Sequence, residues 1–291
     1  MKCFLSCNVV LIVILAGISA QAQVEPLVLY ENFNATSKIL DPEKWCGSES
    51  YTAPDRGVES ARQIKKEPTY AYMGLNILNR VYGDTGSNSG VSNVYNRVIF
   101  RNGENINSIK ATVQVKKVQA TGCSTGNPSE TKAQGRIGGF FFNTGPRTAD
   151  DATNDVWATV YAGRSSNSTD PSNVLEINAE VRHCTNINCS TGATIGTQDL
   201  GTVKLNKKVK LRITWDPQED RFIFQKGSDP EVYITYDTAT YPESFPPGAS
   251  YGGFKRLDVF DSVANCTNLP RTMGFMDVYF ENVYVNESAA P

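Results

Sequence analysis

The sequence predicts an all-β protein built as a two-sheet antiparallel β-sandwich with very little helix. The main observation is a period of two, in which apolar and polar residues alternate along short segments. Such alternation gives each strand one face for a core and one for solvent, as antiparallel sandwiches require. In addition, no segment shows a long apolar stripe of period 3.6 with capping residues, so long surface helices are not expected. The clearest alternating segments are Ile109–Lys116, Val156–Tyr161, Leu175–Arg182 and Val209–Asp216.

Shorter apolar segments, separated by Gly, Asn, Asp, Ser and Pro, predict the remaining strands. These segments are Leu27–Phe33, Ser60–Ile64, Ala71–Tyr82, Arg97–Arg101, Arg136–Asn143, Gly201–Leu205, Arg221–Gln225, Val232–Tyr236, Phe254–Asp261 and Met273–Val285. Neither a linker nor an internal repeat interrupts the series. Residues 23–291 are therefore expected to form a single domain, which is long enough to bury a large core.

Residues 1–22 have the composition of a signal peptide. Lys2 supplies the positive charge, Val9–Ala16 is an apolar segment too short to span a bilayer, and Ala20–Ala22 is a small-residue cleavage site. We therefore expect the mature protein to be secreted, either extracellular or, if the source is bacterial, periplasmic. No later segment reaches membrane length, so no membrane insertion is expected.

Charge and histidine content exclude two kinds of function. The formal net charge is −2 and no basic block is present, so nucleic acid is not an expected partner. His183 is the only histidine, which excludes a metal site built from several histidines.

The predicted mature chain keeps five cysteines, which are disulfide candidates in an exported protein. Cys184 and Cys189 are close together in sequence and are expected to form one bond. A second bond is expected between two of Cys46, Cys123 and Cys266. The pair Cys46–Cys266 is favoured, because the terminal strands of sandwiches often lie side by side.

Three sets of residues, spread along the predicted domain, resemble motifs of a known superfamily. Glu31–Phe33 followed by Leu40–Trp45 resembles an opening strand, and Val209–Asp216 followed by Arg221–Gln225 resembles a pair of hairpin strands. Tyr279–Val285 resembles a closing strand. In this order the motifs resemble those of the concanavalin A-like lectin/glucanase superfamily. The resemblance implies a jelly roll of two curved sheets, with a glycan groove on the concave sheet.

The segment Glu176–Glu180 carries the clearest chemical signal. Period-two geometry places Glu176, Asn178 and Glu180 on one face of a strand. This resembles the E-x-D-x-E motif of laminarinase-like retaining glycoside hydrolases, which implies Glu176 as nucleophile and Glu180 as acid/base. Asn178 stands where those enzymes keep an aspartate, so a charge that sets its neighbours' protonation is absent. The alternative is an ordinary strand with a solvated polar face.

Aromatic and basic residues near this motif are candidates for glycan binding. Trp157 and Tyr161 lie on the polar side of an alternating segment, where rings can stack on the C–H faces of sugars. Arg182 follows the Glu176 motif on the same predicted face and is included in the candidate glycan site. The alternative for Trp157 is that it faces the core.

No cofactor is required by any pattern, and calcium is the one candidate. The resemblance implies calcium near the chain termini, where Glu31 and Asp277 are the residues to inspect. The acidic loop 150–155 also carries oxygen ligands, but without the spacing of an EF-hand; a solvated loop is the alternative.

These observations favour a secreted, surface-associated or glycan-binding jelly roll that is not an enzyme, with a polysaccharide or a glycoprotein glycan as partner. One alternative is a retaining glycoside hydrolase that cleaves a β-glucan-like polysaccharide through Glu176 and Glu180. A second alternative is a structural extracellular module without a ligand.

Overall fold

A computed structural model describes residues 25–52, 58–81, 88–145, 151–243, 255–267 and 271–291. The described part of the chain forms fifteen strands. Their bounds are β1 Leu27–Glu31, β2 Trp45–Thr52, β3 Val58–Glu67, β4 Tyr72–Val81, β5 Val91–Phe100, β6 Ser108–Thr121, β7 Lys132–Asn143, β8 Asp155–Ser165, β9 Val174–Cys184, β10 Gly192–Lys204, β11 Lys208–Asp216, β12 Arg221–Lys226, β13 Val232–Thr235, β14 Lys255–Ala264 and β15 Met273–Asn286. The predicted signal peptide lies outside the described residues.

The strands form two sheets, and the paired strands are antiparallel. One sheet has eight strands, in the order β13-β12-β11-β6-β15-β4-β3, with β1 paired to the end of β15. The other has seven, in the order β10-β9-β8-β7-β14-β5-β2. The predicted two-sheet antiparallel β-sandwich is therefore confirmed. Within the described ranges the only helical elements are three 3-10 turns, and no helix there is long and apolar enough to cross a membrane.

The alternating apolar residues of both sheets meet in one core. Trp215 lies in this core, as the alternation of β11 predicts, and its indole N–H donates to Glu243 Oε2 at 2.9 Å. Trp45 is also buried there, with its ring centroid 5.5 Å from Tyr30 and 4.8 Å from Phe100. The sequence leaves Trp45 unassigned because the polar segment that follows it does not suggest a strand.

Two strands differ most from the sequence prediction. β2 is rich in polar residues and has little apolar alternation to reveal it. β10 begins at Gly192 and is longer than the predicted segment; its pairing with β9 shifts register twice. β10 and β13 are edge strands on the same side of the sandwich, where Ile234 packs so near Gly196 that a Cβ there would lie 2.7 Å from Ile234 Cγ2.

The disulfide prediction is half right. Cys184 and Cys189 are bonded, as expected, whereas Cys266 is bonded to Cys123 and Cys46 is free. The predicted pair Cys46–Cys266 is wrong because the two residues lie near opposite ends of β5. Trp45 pairs with one end of β5 and Ala264 with the other, so their neighbouring cysteines are roughly 30 Å apart. A disulfide spans Cα atoms separated by only about 4.4–6.8 Å.

One aspartate is buried between the sheets. Asp261 of β14 is fully buried, and neither carboxyl oxygen has a hydrogen-bond partner. Burial raises its pKa well above the usual value, because the interior disfavours the charged form.

Candidate functional site

The face of the seven-stranded sheet that is turned away from the core, called here the outer face, carries the predicted site strand. In β9 the residues between the polar ones are buried in the core, so Glu176, Asn178 and Glu180 lie on the outer face. The register with β8 places Tyr161 opposite Asn178 and Gly163 opposite Glu176. The structure therefore brings the predicted carboxylates, the amide and Tyr161 onto one surface.

Part of this face forms a groove of about 480 Å³, called here the Tyr161 groove. Its floor comes from four adjacent strands, β7 to β10, and residues 163–165 and 167–169 line one side. Gly163 lies opposite Glu176, and a Cβ at Gly163 would stand 3.1 Å from Gln134 Cγ and 3.3 Å from Tyr161 Cδ2. The polar side chains along the groove include Glu130, Lys132, Gln134, Tyr161, Glu176 and Asn178.

Arg164 and Ser166 fix the segment that forms the groove wall. The Arg164 guanidinium donates to the carbonyl oxygens of Asp170, Pro171 and Val174 at 2.8–3.0 Å. The Ser166 N–H donates to the Thr131 carbonyl at 2.8 Å, while the Thr131 N–H donates to Ser166 Oγ at 3.1 Å. The groove is therefore pre-formed, because several of the wall's backbone groups are already satisfied within the protein.

Tyr161 supplies both a ring and a hydroxyl to the groove. The side chain is partly exposed, and burial, followed by the nearby charge of Glu180, raises its pKa to about 12. The hydroxyl is therefore protonated at neutral pH and can both donate and accept a hydrogen bond.

The two predicted catalytic carboxylates differ in their surroundings. Their Cα atoms are separated by four strand residues, roughly 13 Å, and both side chains lie on the outer face. Glu180 Oε1 lies 3.5 Å from Arg182 Nε and accepts from the Thr194 hydroxyl at 3.4 Å. Glu176 lines the groove, whereas Glu180 is not among the described residues that line it.

Trp157 lies on the outer face but is not an exposed platform. Its side chain is 8% exposed and packs in a small apolar cluster with Phe140 of the preceding strand and Ile99 of β5. The guanidinium carbons of Arg136 and Arg256 lie 5.5 and 5.8 Å from the ring centroid. The prediction of Trp157 as a sugar-stacking surface is therefore wrong, since its ring faces are already covered. The sequence suggested two environments for Trp157, the main core or the solvent, and this second apolar cluster is neither.

The centre of the outer face holds a buried ion network that sequence reasoning missed. Arg136 donates to both carboxylate oxygens of Asp258, at 2.9 and 2.5 Å, and Arg256 Nε lies 3.0 Å from Asp258 Oδ2. Although burial alone would raise the pKa of Asp258, the two guanidiniums hold it below its usual value. Arg136 pairs with Tyr161 in register, so this network supports the groove floor. The available sequence signal for this network was the alternation of the polar residues Lys132, Gln134 and Arg136.

The two residues suggested for calcium are not brought together. Glu31 lies opposite Val283, while Asp277 lies six residues earlier on β15, roughly 20 Å away. The Glu31 carboxylate accepts from the backbone N–H groups of Asn32 and Phe33 at 2.9 and 2.8 Å. A shared metal site is therefore excluded for this pair. Across the described residues, no cluster of three or more His, Cys, Asp or Glu is placed to hold a metal.

Comparison with known proteins gives no match to a family model or to a curated protein. The fold is similar to a β-1,3-glucanase from Mycobacterium marinum at 11% identity and a TM-score of 0.40, covering 89% of this chain and 100% of that one. It is also similar to the catalytic domain of a laminarinase from Thermotoga petrophila, at 12% identity and a TM-score of 0.39, covering 91% and 100%. A pseudo β-1,3-glucanase of Mycobacterium tuberculosis matches at 10% identity and a TM-score of 0.38, covering 88% and 98%. Because these overlaps are loose, the proposals below rest on the side chains of this chain.

Proposed function

We propose that this protein is a secreted glycan-binding protein that holds a polysaccharide in the Tyr161 groove without cleaving it. The observation that carries the proposal is the polar groove of about 480 Å³ with Tyr161, Glu176 and Asn178 on its floor. The carboxylate and amide can bond sugar hydroxyls, while the Tyr161 ring offers an apolar surface to the C–H face of a pyranose. Gln134 adds a second amide on the adjacent strand.

Two features support binding without hydrolysis. The Glu180 carboxylate is paired with Arg182 and is not among the described residues that line the groove with Glu176. Asn178 replaces the charged neighbour that retaining hydrolases use to set the protonation of their carboxyl pair. Acid/base cleavage needs one protonated and one ionised carboxyl on either side of the same bond.

Two features support secretion. Four of the five described cysteines form two disulfides, which persist in oxidising compartments. The leader-like residues 1–22 add a sequence argument for export.

Binding and cleavage are tested together with neutral β-glucans. Affinity electrophoresis in gels containing laminarin or lichenan is expected to retard the wild type, and Tyr161→Ala and Asn178→Ala are each expected to weaken retardation about tenfold. Tyr233→Ala is the matched control, because this exposed tyrosine lies on the eight-stranded sheet. No retardation across a broad panel of neutral polysaccharides would remove the proposal.

The hydrolase alternative has one observation in its favour, because Glu176 lines the groove opposite Gly163. Reducing-sugar release is measured on the same glucans with the wild type and Glu176→Gln. We expect no release from either protein. Release by the wild type that disappears in Glu176→Gln would replace binding by hydrolysis.

A further inference from the structure

The outward side of the eight-stranded sheet, opposite to the Tyr161 groove, carries three stacked tyrosines. Tyr70 ends a 3-10 turn and is 69% exposed; its ring centroid lies 6.3 Å from that of Tyr72, with 20° between the planes. The Tyr72 and Tyr279 centroids are 4.0 Å apart, with 6° between the planes. Gly74 pairs with Tyr279, and a Cβ there would stand 3.2 Å from the Tyr279 ring. The missing side chain at Gly74 therefore leaves room for the Tyr279 ring.

Lysines flank these rings. Lys116 Nζ lies 5.7 Å from the Tyr279 centroid, within the range of a cation–π interaction. The register shifts between Asp277 and Val278, so β6 bulges at this point and presents Lys116 beside the exposed Lys117. Lys65 lies opposite Gly74 on the other side of the stack.

A second group of cations continues the patch along β6 and β11. Lys110 Nζ lies 4.4 Å from the Tyr284 centroid, and its pKa is lowered by burial and then by the positive charges of Lys210 and Arg212. Lys208 pairs with Glu281 at 2.6 Å, and Arg212 pairs with Glu231. Lys210 is exposed on the same side.

The patch is basic although the chain is acidic. We call it the tyrosine–lysine face and define it by its rings and charged groups: Tyr70, Tyr72, Tyr279, Tyr284; Lys65, Lys110, Lys116, Lys117, Lys208, Lys210, Arg212; Glu67, Glu231, Asp277, Glu281. Its seven cations outnumber its four carboxylates, whereas the whole chain has a net charge of −2. One row across the sheet runs from Lys65 through Tyr279 to Lys208, over five strands and roughly 19 Å. A linear ligand with repeated negative charges fits such a row of rings and ammonium groups.

We propose that the tyrosine–lysine face is a second binding surface, which takes an anionic polysaccharide bearing carboxylate or sulfate groups. The rings stack on the C–H faces of its sugars, and the lysines neutralise its charges as flexible point charges that tolerate varied anion geometry. The charge complementarity is local, so the face attracts a polyanion that the rest of the chain does not. This surface and the Tyr161 groove lie on opposite sides of the sandwich, and the inference does not depend on the groove.

Affinity electrophoresis tests the proposal with gels containing alginate, dextran sulfate or neutral dextran. The wild type is expected to be retarded by alginate, dextran sulfate or both, and not by dextran. The polymer that retards it more strongly shows whether the face prefers carboxylate or sulfate groups. Retardation is expected to weaken as salt is added, because the charges are exposed and screened. Tyr70→Ala and Lys210→Glu are each expected to weaken retardation about tenfold, while Tyr70→Phe keeps the ring and the binding.

Matched controls separate this surface from the rest of the molecule. Lys204→Glu makes the same charge change on β10 of the other sheet and is expected to leave retardation unchanged. Tyr161→Ala removes the groove ring and is likewise expected to leave binding of the anionic polymer unchanged. Equal retardation of wild type, Tyr70→Ala and Lys210→Glu overturns the proposal, as does an equal loss in Tyr161→Ala. Equally strong binding of single-stranded DNA through the same side chains also overturns it, since stacked rings and cations can hold bases and phosphates too.

Discussion

The carboxyl group of Asp261 crosses the interior of the sandwich and lies against Gly274 of the opposite sheet. A Cβ atom at Gly274 would stand 2.9 Å from Asp261 Cγ. The two residues are therefore matched, because a side chain at position 274 would collide with this buried carboxyl group, which has no hydrogen-bond partner.

Gly274→Ala is expected to destabilise the protein by about 1–3 kcal/mol, because the added methyl group overpacks this contact. Urea unfolding measures the change. In an Asp261→Ala background the same substitution is expected to cost less than about 0.5 kcal/mol. If Gly274→Ala lowers the unfolding free energy equally in both backgrounds, Gly274 does not accommodate the Asp261 side chain.

Asp261→Asn is expected to change the pH dependence of stability. The folded-state pKa of Asp261 is raised, so this group contributes stability that is fully present below its unfolded pKa of about 3.9 and is lost as pH rises toward the folded pKa. In that window the wild type should lose about 1.4 kcal/mol per pH unit relative to the variant. Urea unfolding at a series of pH values measures it. Asp229→Asn, at an exposed aspartate, should run parallel to the wild type.

Gly138→Ala is expected to destabilise the protein by more than about 3 kcal/mol. Gly138 has a φ of 144°, and a Cβ there would collide with the Ala158 carbonyl oxygen and lie 2.8 Å from Thr159 Cα. Gly227→Ala is the control, since its φ of 60° is also positive but no atom lies within 4 Å of the added Cβ. It should cost only about 1 kcal/mol in the same unfolding experiment. Similar values for both variants would show that backbone strain alone matters at Gly138.

The two disulfides are expected to contribute unequally. Cys123 and Cys266 are 143 residues apart in sequence, whereas Cys184 and Cys189 are 5 apart. In the chain-entropy model, cross-linking the unfolded chain stabilises the protein by about 5 kcal/mol for the long loop and about 2 kcal/mol for the short one. Double serine variants of each pair, compared by thermal unfolding, measure the difference. The reverse order of stability would show that native contacts, not loop entropy, dominate.

Glycan binding through the Tyr161 hydroxyl is expected to persist in alkali. Burial and then the charge of Glu180 raise its pKa to about 12, so the hydroxyl stays protonated at about pH 10, where an ordinary tyrosine is half ionised. Affinity for laminarin at about pH 7 and about pH 10 should therefore agree within about twofold. Tyr161→Phe removes the hydroxyl and reports any pH effect that arises elsewhere. A loss of affinity centred on about pH 10 in the wild type alone would show an accessible, ordinary phenol.

The sequence predicts most of the fold because alternation is a local signal. Leu175 to Val181 of β9 alternate with polar residues, and the same parity places Glu176, Asn178 and Glu180 on one face in the structure. β2 escapes prediction because its strand state comes from pairing with β5, which no local pattern records. The all-β sandwich was therefore predictable, while the polar edge strands were not.

The site is less predictable because its contacts join residues that are distant in sequence. The apolar neighbours that bury Trp157 include Ile99, far earlier in the chain. The Arg136–Asp258 pair spans 122 residues, and nothing local to either residue names the other. The wrong pairing of Cys46 with Cys266 has the same cause. The terminal strands β1 and β15 do lie side by side, but neither Cys46 nor Cys266 belongs to them.

The irregular edge at β10 has a consequence for self-association. An incoming strand from another molecule needs an uninterrupted row of backbone N–H and C=O groups to pair with. β10 breaks this row with two register shifts, and Ile234 of the neighbouring edge strand closes over Gly196. A protein with so much sheet is thereby protected on this side from polymerising edge to edge, and filling Gly196 with a larger residue would push the two edges apart and open a template for fibrils.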